Sequence, residues 1–220
     1  MIVSTLKQAN ETVLASVRNA MNKHAAEYFT KQVKYMNQQI CVLEPLLDII
    51  KAMQSEGMAN GAFTSSTKDS LHNAIEACKQ KINDHSLEEG TVSALENSIE
   101  LCRTNAENAW KAAAMLLADD IEKSLLSLSR ILPDKERASA LENTLAAAKS
   151  SLPRSAEAIS VFKAKVSEGK AIVNALHLDS ETESFIQKVR SQTATVSDLT
   201  QHIIEWISQN NLNRQFKIRF

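Results

Sequence analysis

"TVSALENSIELCRTNAENAWKAAAMLLADDIEKSLLSLSRIL", residues 91–132, runs without a glycine or a proline. Within it Val92, Leu95, Ile99, Cys102, Ala106, Ala109, Ala113 and Leu116 follow one another by steps of three and four. That spacing keeps apolar side chains on one stripe of an α-helix. After a local shift of phase the stripe continues through Leu117, Ile121, Leu125, Leu128 and Leu132. The stretch reads as one long helix ended by Pro133, whose ring and missing N–H cannot be accommodated inside a regular turn.

The segments on either side carry the same period. Val3, Leu6, Val13, Val17, Met21, Ala25, Phe29, Val33, Met36, Ile40, Leu43, Leu47 and Ile50 form a near-heptad seam, in which Pro45 must kink the helix or mark a boundary. "SEGMANGAFTSST" at 55–67 holds two of the four glycines and reads as the clearest loop. A shorter helix over 68–83 follows, with Leu71, Ile75, Cys78 and Ile82 on one face, and Thr91 is a candidate cap for the long helix. Beyond Pro133, Asp134 is placed to start a helix. Seams over 134–152 and 154–176 together nearly equal the long helix in length, so the economical arrangement runs 91–132 back along a 134–176 arm bent at Pro153.

After residue 177 the character changes. "HLDSETES" opens a short helix, and "TVSD" precedes another bearing Val196, Leu199, Ile203, Trp206 and Ile207. The chain then finishes on Phe216, Lys217, Ile218, Arg219 and Phe220, where apolar and basic residues alternate with the period of a strand.

Composition agrees with helices. Four glycines, three prolines and 5% aromatic residues exclude a β-sandwich or barrel, and 44% hydrophobic against 23% charged residues is enough to bury a core. The expected fold is all-α: an elongated antiparallel bundle of coiled-coil hairpins with a small C-terminal helical cap and a short strand-like tail. Its parts are an N-terminal helix and loop over 1–64, a hairpin bundle over 65–177, and cap plus tail over 178–220.

The same residues exclude several kinds of chemistry. Gly57, Gly61, Gly90 and Gly169 cannot be written into a phosphate-binding loop or a dinucleotide fingerprint. His24, His72, His85, His177 and His202 are scattered, without the spacing of metal ligands, and no cofactor is implied. Cys41, Cys78 and Cys102 are odd in number and lack any paired spacing, so they read as reduced, buried thiols of a cytoplasmic chain. Asp119 and Asp120 are neighbours that diverge by about 100° on a helix and read as surface charge. Glu96, Glu100 and Arg103 form a ladder on a helix flank. A net charge of −1 provides no basic field for nucleic acid, and no apolar run spans a bilayer.

What remains is recognition. Trp110 and Trp206 are either interface anchors or core residues of their own chain. A strand without a partner leaves unpaired backbone groups, so Phe216, Ile218 and Phe220 are expected to add an edge strand to a partner's sheet, or else to fold back beside Trp206. The candidate partner-binding set is Trp206, Phe216, Lys217, Ile218, Arg219 and Phe220, with no catalytic residue. The expected function is a non-enzymatic scaffold, adaptor or accessory subunit, self-association through the seams included. The alternatives are the helical C-terminal region or a partner subunit of a larger multidomain enzyme, for example an ATPase, and a membrane-acting helical protein.

Overall fold

The computed structural model describes residues 12–14, 23–128, 132 and 134–216. Among them residues 12–14 are helical, and the longer α-helices are α1 (Lys23–Ser55), α2 (Ser65–Asn83), α3 (Glu89–Leu128), α4 (Lys135–Ser150), α5 (Ala156–Ala175), α6 (Ser180–Arg190) and α7 (Gln201–Gln209), with a 3-10 turn at Val196–Asp198. No described residue is in a strand. The fold is an all-α helical bundle. Of the N-terminal seam, Val3, Leu6, Val17 and Met21 lie outside the described residues.

The chain divides into two compact units, Met1–Ala113 with Leu152–Ala156, and Ala114–Ser151 with Glu157–Phe220. The division along α3 falls between Ala113 and Ala114.

In the first unit α1, α2 and the start of α3 form an up-down-up bundle. Thr67 accepts from Asn105 Nδ2 at 2.8 Å, Ser70 and Ser98 share a hydrogen bond at 3.1 Å, and the Cys78 thiol points at the Thr91 carbonyl at 3.7 Å, so α2 and α3 are antiparallel. Tyr28 accepts from the Glu89 amide and Tyr35 donates to Glu96 at 2.7 Å, so α1 and α3 are parallel. Phe29, Val33, Met36, Ile40, Leu43, Leu71, Cys78, Leu95, Ile99 and Ala106 are among the residues of its core, with Val13, Leu14 and Leu152 packed against it. Pro45 is not a boundary: α1 runs through it. The carbonyl that Pro45 leaves without a donor belongs to Cys41, and both residues are exposed, on the outer side where such a break costs least.

The second unit repeats this order with the end of α3, α4 and α5. Lys149 on α4 reaches Asp119 and Glu122 on α3 at 2.7 and 2.6 Å, which makes those helices antiparallel. Arg137 on α4 pairs with Glu168 on α5 at 2.7 Å, so α5 is antiparallel to α4. A bent but continuing 134–176 arm would set Arg137 and Glu168 roughly 45 Å apart, at 1.5 Å per residue. The chain instead reverses at Pro153. Leu152, beside it, is half-buried against the core of the first unit.

The buried face of α3 also rotates earlier than its spacing implies. Ala109 and Trp110 are both buried, and the stripe then passes to Ala114, Ala118, Ile121, Leu125 and Leu128. Leu116, expected on the seam, is 86% exposed. Trp110 is 1% exposed, and this large ring selects which side of the helix faces inward.

Helix ends are set by local chemistry. Thr64 accepts from the Thr67 amide at the start of α2, and Asp134 from the Arg137 amide at the start of α4. Helix α3 begins at Glu89, ahead of Thr91. At the far ends, the 6→1 bonds Met58 N to Met53 O, Ser86 N to Lys81 O, Thr193 N to Lys188 O and Leu212 N to Ile207 O close Schellman turns. Their left-handed residues are Gly57, His85, Gln192 and Asn211, only one of them a glycine.

Candidate interaction site

Of the candidate residues, Trp206 and Phe216 are described, and both lie in the C-terminal part of the second unit, where α6, the 3-10 turn and α7 are tied together by polar side chains. Asp179 caps α6 by accepting from the Thr182 amide at 2.8 Å, and accepts a second bond from His202 Nε2 at 2.6 Å. Chiefly through the Thr182 bond, the Asp179 carboxyl is pulled down to about 2. Thr200 caps α7 by accepting from the Ile203 amide and donates to Glu181 at 2.6 Å. Asp198 takes the Lys188 ammonium and the Thr195 amide and hydroxyl, and the Lys188 bond leads in lowering it to about 2. These contacts hold the start of α7 and the 3-10 turn on α6.

Trp206 is 4% exposed, and its indole N–H donates to the Leu176 carbonyl at 2.7 Å. That oxygen is one of the groups a helix leaves unpaired just past its end, here α5. Of the two readings open for Trp206, the structure shows the core residue rather than an exposed anchor, and the same holds for Trp110. Val196, expected inside the last helix, sits in the 3-10 turn and is 64% exposed.

After α7, Asn211 adopts a left-handed φ of 56°, Leu212 is fully buried, and the Gln215 amide donates to the Leu212 carbonyl. This turn brings Phe216 to Phe185 of α6, with ring centroids 5.6 Å apart and planes inclined by 38°. Phe216 therefore folds back, though onto Phe185. Lys217, Ile218, Arg219 and Phe220 lie outside the described residues, and with them the strand-like ending.

The other candidates have structural partners. Burial pushes the Cys78 and Cys102 thiols up to about 11, which leaves them protonated and unreactive near neutral pH. Cys41, expected to be buried, is exposed on the outer side of α1. Asp119 joins Glu122 around Lys149, and the Lys149 hydrogen bond lowers its carboxyl. Glu100 pairs with Arg103 at 3.5 Å, while Glu96 is drawn away to Tyr35. No three His, Cys, Asp or Glu side chains among the described residues are placed to hold a metal ion. No described helix is long and apolar enough to cross a membrane. An open cleft of about 250 Å³ in the second unit is lined by Asp120, Lys123, Leu128, Leu178, Glu183 and Ile186 among others.

The residues that organise this region are Asp179, His202, Glu181 and Thr200. "HLDSETES" marks the start of a helix in the sequence, within which the structure makes Asp179 the cap; the partnership of Asp179 with His202, 23 positions away, has no sequence signal. Compared with known proteins, the chain matches no family model, no curated protein and no solved structure.

Proposed function

We propose that the chain is a non-enzymatic helical interaction protein, a scaffold, adaptor or accessory subunit that engages a protein partner through its C-terminal end. The observation that carries the reading is the seat of Phe216 on Phe185. Phe216, the residue before Lys217–Ile218–Arg219–Phe220 in the sequence, rests on a helical platform whose caps and struts use Asp179, Asp198, Lys188 and His202. A short segment that alternates apolar and basic residues and starts from a fixed point loses less entropy on docking than a free tail. Its alternation suits addition to the edge of a partner's sheet, with Ile218 and Phe220 on one face and Lys217 and Arg219 at the rim. The proposal puts the protein in the cytoplasm, on the ground that Cys41, Cys78 and Cys102 are free thiols.

The test compares the intact chain with one ending at Phe216 and with the Ile218→Asp, Phe220→Asp double variant. All three keep the Phe216–Phe185 contact, so circular dichroism and melting should match. A partner recovered in fixed stoichiometry with the intact chain should be lost from the other two. An unchanged set of recovered proteins would remove the tail from the reading.

A further inference from the structure

We draw no further inference here: the strongest candidate, the exposed Met115 and Leu116 edge of α3 in the second unit, is an unpartnered apolar face, and nothing in the structure shows what covers it.

Discussion

Gly169 of α5 sits against Ile121 of α3 with no room for a side chain: a β-carbon there would stand 2.5 Å from Ile121 Cγ2, with Leu141 and Leu125 methyls at 3.5 and 3.7 Å. The glycine is buried inside a helix, where it costs about 1 kcal/mol relative to alanine. Its presence is explained by the approach of three helices to one point.

Gly169→Ala should therefore destabilise the chain although alanine is the better helix former. Overpacking costs about 1 to 3 kcal/mol, and the gain in propensity returns about 1, so a net loss of up to roughly 2 kcal/mol is expected in urea unfolding. In an Ile121→Ala background the obstructing methyl is gone and the same substitution should be neutral or stabilising. Equal effects in both backgrounds would mean that α5 does not approach Ile121 this closely.

Trp206→Phe keeps a ring in the core and removes the donor to Leu176. A buried carbonyl left without a partner costs about 1 to 3 kcal/mol, so a loss in that range is expected, with the largest rise in amide exchange in α7. A variant as stable as the parent would show that water replaces the indole and that the end of α5 is open.

How much of this was legible in the sequence depended on which physical signal each feature left. The all-α class and the bounds of α4 and α5 followed from apolar period and from Asp134 and Pro153. The turn of the α3 face did not, because Ala112, Ala113 and Ala114 carry identical side chains and cannot say which of them is inside. Trp110, one step off the strict seam, was the only hint, and without it Leu116 was assigned to the core. The reversal at Pro153 is not legible because a proline begins a bend and a turn alike; the Arg137–Glu168 pair between α4 and α5 separates them. At the candidate site, the sequence marked Phe216 and the start of a short helix at "HLDSETES", whereas the caps Asp179 and Thr200 emerge only with the structure, and the Phe185 contact and the His202 to Asp179 tie depend on how α6 and α7 pack.

Helix ends without glycine yield another prediction. Gln192 holds a left-handed φ of 59° at the end of α6 and is exposed, so its side chain meets the steric penalty of that conformation without a buried contact in return. Gln192→Gly should stabilise the chain by about 0.5 to 1 kcal/mol, after the greater entropy of the unfolded glycine is subtracted. His85 has a φ of 53°, yet its ring meets Phe29 edge-on at 6.1 Å, and His85→Gly should give no such gain. Denaturant midpoints of the two variants separate backbone relief from lost packing; a Gln192→Gly chain less stable than the parent would contradict the turn at that position.

Acid should release the C-terminal helices through their caps. Asp179 and Asp198 both have folded values of about 2, against an ordinary 3.8, because the charged form is the one that Thr182, Thr195, Lys188 and His202 bind. A carboxyl depressed on folding contributes stability that is complete above its unfolded value and is lost as pH falls through its folded one. The window therefore runs from about pH 4 down to about pH 2, and nothing from these two groups changes between pH 5 and 8. Carboxyl carbon shifts followed by NMR should give both midpoints near 2, and the destabilisation caused by Asp198→Asn should be full at pH 5, mostly gone by pH 2 and absent below it. Midpoints near 4 in the folded chain would mean that the caps binding α6 to the 3-10 turn and α7 are not formed in solution, and the platform beneath Phe216 would lose its physical basis.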